Sequence, residues 1–250
     1  MQQQGKWVSR LGMYAVLCIT LLGGCAAISP AHGPEPTRLV YQTVGQQSGP
    51  QAGQDASQQI MWVTSDYLRI DEAGDESGFV LYSREADEIY SVSHDERSIM
   101  VIGRSGMEPL PPQSLSITIH LVPDAQAPSV AGRHPQHYQM RASGEVCEEA
   151  VVVPGLLPEA VGVWRDYAAQ LASGQAQRSE SLPAEMVDGC DLARHAYAAA
   201  WYLDYGLPIR ISDRSGREQL LVDYTHPYVL EDGAMRLPPG YSRYRLPPSR

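Results

Sequence analysis

Short runs of β-branched and aromatic residues, separated by polar turns, constrain this chain more than any other feature. Ile60–Thr64, Tyr67–Ile70, Phe79–Tyr82, Glu88–Val92 and Ile99–Ile102 follow one another closely. The breaks between them (71–78, 83–87 and 93–97) are rich in Gly, Ser, Asp and Glu. That spacing predicts an antiparallel meander, and no helical period competes with it. Leu115–Leu121 alternates apolar with polar side chains, as a strand with one buried and one wet face does. Arg38–Val44, Gln136–Ala142, Cys147–Val153, Leu207–Ile211 and Glu218–Tyr224 read as further strands, the last two joined by an Asp213–Gly216 hairpin turn. One helix is predicted over 158–173. Pro158 and Glu159 suit its first turn, Val161, Trp164, Ala168 and Leu171 make an apolar stripe, and Gly174 closes it. Asp191–Tyr202 fits a helix by its alanines and a strand by its extended neighbour at 207–211. Leu237–Tyr241 reads as a Pro-stiffened finish.

The first 24 residues have another character. Lys6 and Arg10 precede an uncharged apolar run, Leu11–Leu22, too short for a comfortable membrane span. A basic start, an apolar middle and small residues before a cut site form a secretory signal. Leu22-Gly23-Gly24-Cys25 resembles the bacterial lipobox. The resemblance implies that Cys25 becomes the acylated N-terminus of the mature chain, anchored by lipid; each buried methylene contributes about 0.8 kcal/mol. Ala26 after the cysteine favours the periplasmic face of the outer membrane, with the inner membrane as the alternative. The expected organisation is a signal peptide at 1–24, a lipidated Pro-rich tether at 25–37 and one domain at 38–250.

The net charge is −10 for the whole chain and −12 once Lys6 and Arg10 leave with the leader. Such a surface repels phosphate backbones, which argues against nucleic acid as a partner. Lys6 is the only lysine, so the mature chain has none for a Schiff base. Cys147 and Cys190 remain beyond Cys18 and Cys25, and an even pair in an exported domain reads as a disulfide, with two free thiols as the alternative.

Asp66-Tyr67-Leu68-Arg69-Ile70-Asp71, the strands that follow it, Cys190-Asp191-Leu192-Ala193, Gly206–Ile209 and the closing Leu237-Pro238-Pro239-Gly240-Tyr241 resemble a group of envelope proteins of unknown function. That group is similar to the periplasmic lipoprotein-carrier (Lol-type) fold. The resemblance spans roughly Met61 to Tyr241 and implies a mainly β (α+β) fold. Its antiparallel meander curls into a half barrel, an amphipathic helix packs on it, and the gap between them takes an acyl chain.

No catalytic constellation stands out, and the chain reads as non-enzymatic with no cofactor. Pro135 keeps His134 and His137 off a shared helical face, and on a strand they point apart. Asp71–Glu76 lacks the order of a calcium loop. Gly103–Met107 lacks the glycine spacing of a nucleophile elbow, since Gly106 directly follows Ser105. Glu148 and Glu149 would raise a free Cys147 thiol's pKa. Arg69 within an apolar strand reads as an outward or Asp-paired charge, or as an anchor for a ligand carboxylate or phosphate. Trp62, Trp164 and Trp201 read as core or as cavity wall. Two roles follow. One is a binding module for an acyl chain or other apolar ligand, its pocket lined by Trp62, Leu68, Arg69, Phe79 and Trp164. The other is a scaffold or partner-binding lipoprotein in envelope assembly or stress sensing, marked by an exposed apolar patch.

Overall fold

The expected strands form and join one sheet. The computed structural model describes residues 35–45, 57–103, 110–123, 128–179 and 187–245. The expected signal peptide at 1–24, Cys25 and the expected tether as far as residue 34 lie outside the described residues. The strands are β1 (Thr37–Val44), β2 (Ser57–Val63), β3 (Tyr67–Glu72), β4 (Gly78–Ser83), β5 (Glu88–Ser93), β6 (Ser98–Gly103), β7 (Ile117–Val122), β8 (Gln136–Ala142), β9 (Glu145–Val153), β10 (Leu207–Asp213), β11 (Glu218–Thr225) and β12 (Ser242–Arg245). Their order across the sheet is β12-β6-β5-β4-β3-β2-β1-β11-β10-β9-β8-β7. Two antiparallel meanders, β2–β6 and β7–β11, are thus fused through β1, which pairs with β2 on one side and β11 on the other.

The turns follow from local chemistry. Ser83 and Ser93 each accept a hydrogen bond from the backbone N–H three residues on, at Ala86 and Glu96. Each loop then ends on a left-handed residue, Asp87 or Arg97. The β10–β11 turn is organised by Asp213, whose Oδ1 accepts from the Ser215 and Arg217 N–H groups.

Both faces of the β3–β6 region are covered, which is why β4 reads as a continuous apolar run. Tyr82, Ile89 and Ile102 face one side, with Leu39, Tyr41, Met61 and Leu68. Phe79, Leu81, Tyr90, Val92, Ile99 and Val101 face the other. The first side carries α1 (Pro158–Ser179), a short helix α2 (Gly189–Leu192), a π-helical turn (Ala193–Tyr197) and a 3-10 turn (Trp201–Asp204). The second side carries the C-terminal segment, through Met235, Leu237 and Tyr241.

Two expectations are corrected, at the end of the helix and at the C-terminus, and one open alternative, at 191–202, is resolved. The helix does not stop at residue 173: it runs through Gly174 to Ser179, because that glycine keeps helical geometry and a Cβ there would meet only the Arg178 side chain. Asp191–Tyr202 is helical and turn-like, not extended. The Pro-stiffened finish leads into a strand, β12, which pairs parallel with β6 and makes the sheet mixed, not purely antiparallel.

Cys147 and Cys190 form a disulfide that closes a span of 43 residues and pins α2 to β9. Replacing both cysteines by serine is expected to cost up to about 4 kcal/mol on a chain-entropy argument, read as a lower urea midpoint. An unchanged midpoint would mean that the bridge adds no stability.

Candidate functional site

Strand alternation decides what becomes of the five residues expected to line one pocket. Leu68 and Trp164 lie together on the helix side of the sheet, within the same buried cluster. Trp62, Arg69 and Phe79 lie on the opposite side, where the Arg69 guanidinium sits over both rings, 5.6 Å from the Trp62 centroid and 3.9 Å from that of Phe79. Neighbouring residues on β2 and β3 point to opposite faces, so these five cannot share a cavity. Trp164 is core: Tyr41 meets it edge-on at 5.4 Å and Tyr202 at 6.2 Å. From there an aromatic row continues through Trp201 and Tyr205 to Tyr138. The row thus runs from the core beneath α1 toward the β8–β9 end of the sheet.

The Arg69 charge is satisfied locally. Its Nε and one Nη donate to the two oxygens of Asp71 at 2.8 and 2.7 Å, and the other Nη donates to the Ala234 carbonyl at 2.7 Å. Arg69 and Asp71, two apart on one strand, face the same way and clamp the C-terminal segment. Tyr241 is held similarly, by His94 at 2.9 Å and under the Arg97 guanidinium. The C-terminal segment is thus strapped across this face at two points, at Ala234 by Arg69 of the 66–71 motif and at Tyr241 of the 237–241 motif by His94 and Arg97. The His134–His137 pair separates too: His137 bonds Glu149 across β8–β9 at 3.0 Å, and His134 is exposed.

An open groove lies on the helix side, at the β7 end of the sheet. Its floor is Ile117 and Ile119 of β7. One wall is the α1 face of Arg165, Ala169, Ala172 and Ser173, spaced at helical intervals; the other is Ala196–Trp201 with Asp204. The cavity measures about 510 Å³. Alanines on both walls leave room that larger side chains would fill. At its mouth Arg165 bridges the walls, pairing with Asp204 at 2.9 Å and donating to the Leu203 carbonyl.

The second wall is latched to the sheet by a buried polar network that sequence reasoning missed. The register of β8 against β9 shifts between Met140 and Arg141, so that Cys147 is an extra residue. A bulge of this kind lets consecutive residues share a face. Cys147 takes the disulfide, and Glu148 accepts from Trp201 Nε1 at 2.8 Å and from Arg194 Nε at 3.3 Å. Arg194 also donates to Asp213 at 2.9 Å. Arg214 adds an outer tie to Asp188, the N-cap of α2, at 2.8 Å. Gly206 then turns the chain into β10 at φ +148, where a Cβ would lie 2.5 Å from the Val153 carbonyl. The available sequence signal was a pair of adjacent carboxylates, Glu148 and Glu149, opening the otherwise apolar 147–153 run; the partners of Glu148 lie too far along the chain to be paired by spacing.

Burial raises the Glu148 carboxyl above its usual range, opposed by the Arg194 charge and the Trp201 and Arg194 hydrogen bonds. Asp213 is lowered: its burial is outweighed by Ser215 and Arg194. The network therefore holds one reluctant and one willing carboxylate around a single guanidinium.

No family model matches the chain, and no curated protein matches it. Among solved structures, an uncharacterized conserved protein from Thermus thermophilus is similar at a TM-score of 0.43 and 10% identity, covering 85% of this chain and 91% of that one. PNGF-II is similar in two crystal forms, at TM-scores of 0.42 and 0.43 and identities of 9% and 10%, over 85% of this chain. The chain spans about a third of PNGF-II, 31% and 32%.

Two variants probe the latch. Arg194→Ala leaves the buried Glu148 and the half-buried Asp213 without their shared counter-charge and is expected to cost about 3 kcal/mol, read in urea unfolding at neutral pH. Because the folded Glu148 carboxyl is raised, its contribution to stability is full below the unfolded value, near 4.5, and falls as pH climbs through the folded value. Glu148→Gln, which cannot ionise, is expected to remove that part of the fall. Parallel stability profiles for wild type and variant across this window would contradict the assignment.

Proposed function

We propose that this chain is a membrane-anchored envelope lipoprotein whose folded part is a non-catalytic binding module for an acyl chain or a similar apolar ligand. The observation that carries this reading is the groove beside β7, about 510 Å³ in volume. Small-molecule sites measure roughly 300–1,000 Å³. Its floor is aliphatic, and alanines make up most of its walls, beside Ser173, Tyr197 and Trp201, with Arg165 and Asp204 at the mouth. A narrow unbranched chain suits such walls better than a bulky ring. The ligand lies beside α1 and not beneath it, since the space beneath is taken by Trp164 and its aromatic neighbours.

A half barrel is the shape that fits this reading. Residues 104–116 must carry the chain from β6 to β7, ten positions away in sheet order. Laid flat, those positions span about 48 Å. That is close to the limit of the linker fully stretched, at about 3.4 Å per residue. The turn closed by the Leu115 N–H on the Pro112 carbonyl shortens it further. Curling the sheet around α1 brings the ends nearer. In keeping with this, α1 touches Tyr41 of β1 through Trp164 and the Ile102 carbonyl of β6 through Gln170.

The anchor in this reading is the lipid on Cys25, and the site of action is the periplasmic face of the outer membrane. Among the described residues no helix is long and apolar enough to cross a membrane. Residues 26–34 separate Cys25 from the first described residue, Glu35, so the tether reaches at most about 35 Å.

Two experiments test the proposal. Full chain purified from membranes, washed with detergent and extracted, is expected to yield an acyl ligand by mass spectrometry. Ala169→Leu with Ala172→Leu, which fills the groove, is expected to yield several-fold less at an unchanged melting temperature. An empty wild type, or equal recovery from the filled variant, sinks the binding role. Separately, Cys25→Ser is expected to move the protein out of the membrane fraction, and persistence there would sink the anchor.

A further inference from the structure

The two outer strands of the sheet end differently. At one end β12 covers the β6 edge and is itself short and charged, with Arg243 and Arg245 among its four exposed residues. Short, charged strands are how sheets protect an edge. At the other end β7 has none of these devices. Ile117-Thr118-Ile119-His120-Leu121-Val122 contains no Pro, Lys, Arg, Asp or Glu, its register with β8 is unbroken, and Leu121 is 58% exposed. Among the described residues no strand pairs with its outer side.

The backbone phase of β7 is fixed. The Ser143 N–H donates to the Ser116 carbonyl, so positions 116 and 143 form a hydrogen-bonded pair. The alternation of antiparallel ladders then turns the amides of Thr118, His120 and Val122 toward β8. Those of Ile117, Ile119 and Leu121 point to the open edge.

We propose that this edge pairs with the same edge of a second copy, antiparallel, about a two-fold axis through Ile119. In that register Ile117 faces Leu121 of the other copy, Ile119 faces Ile119, and Thr118 faces His120. Apolar thus meets apolar on the groove side and polar meets polar on the outer side. The three hydrogen-bonded pairs use the three residues whose amides point outward, giving about six bonds. Shifting the axis to His120 keeps an allowed backbone phase but loses the side-chain match, because Thr118 would then face Val122 and Ile117 would face Pro123, which has no N–H to donate. Charge agrees as well. Each copy is strongly acidic, at −10 for the full chain and −12 without Lys6 and Arg10, and this strand carries no carboxylate to oppose its counterpart. Ile117 and Ile119 also floor the groove, so the two floors join across the axis. The contact is small, at the low end of specific interfaces, and a shared membrane tether would favour it by raising effective concentration. The pairing does not depend on what the groove holds.

Cysteine cross-linking of the purified full chain tests the register, and sedimentation across a concentration series tests the assembly. Ile119→Cys places two thiols on the axis with Cα atoms about 5.5 Å apart, and is expected to give a covalent dimer whose bridged peptide is 119 to 119. Thr118→Cys places its thiols about 8 Å apart and is expected to bridge at least tenfold less. Ile119→Pro removes an N–H that β8 does not use, and Leu121→Lys puts a charge against Ile117. Both are expected to sediment as monomers at concentrations where wild type is dimeric, and Leu121→Lys, at a 58% exposed position, to do so with its melting temperature unchanged. A wild type that is monomeric throughout and forms no 119–119 bridge overturns the proposal. So does equal bridging at 118, or a dimer that survives both variants.

Discussion

The groove wall depends on one local irregularity, the bulge that lets Cys147 and Glu148 share a face of β9. In a regular strand one would point to the helix side and the other away. Because both point the same way, the 189–205 segment is tied twice to the same spot, covalently through Cys190 and ionically through Arg194 and Trp201. Such ties are needed because the segment has little of its own. Its helical pieces span four or five residues each, and its sequence is short of large aliphatic side chains. The alanines that open the groove are thus tolerated only where something else holds the wall.

Strand existence was legible because it rests on local pattern. The runs at 60–64, 67–70, 79–82, 88–92 and 99–102 each sit inside a strand or overrun it by a residue, and the turn chemistry at Ser83 and Ser93 needs only neighbours. Face assignment was less legible. β4 and β5 are buried on both sides, so alternation does not say which side meets the helix, and Phe79 and Leu68 look like neighbours although they lie on opposite faces. The latch was not legible at all. Glu148 lies 46 residues from Arg194 and 53 from Trp201, separations at which spacing carries no signal. The strap falls between these cases. The motifs at 66–71 and 237–241 were visible as motifs, but what fastens the segment spans 165 residues from Arg69 to Ala234 and 147 from His94 to Tyr241.

The strap also bears on the open shape of the sheet. β12 follows directly from Tyr241 and occupies the edge of β6, the strand that would have to meet β7 for the sheet to close on itself. With that edge taken, closure would require β7 to pair with β12 instead. A four-residue strand carrying two arginines is a poor partner for an uncharged six-residue one. Arg69 therefore acts at a distance from its own strand. By fastening the segment that delivers β12, it helps keep the two ends of the sheet apart, and an unclosed sheet is what leaves in place both the groove and a β7 edge that no described strand covers.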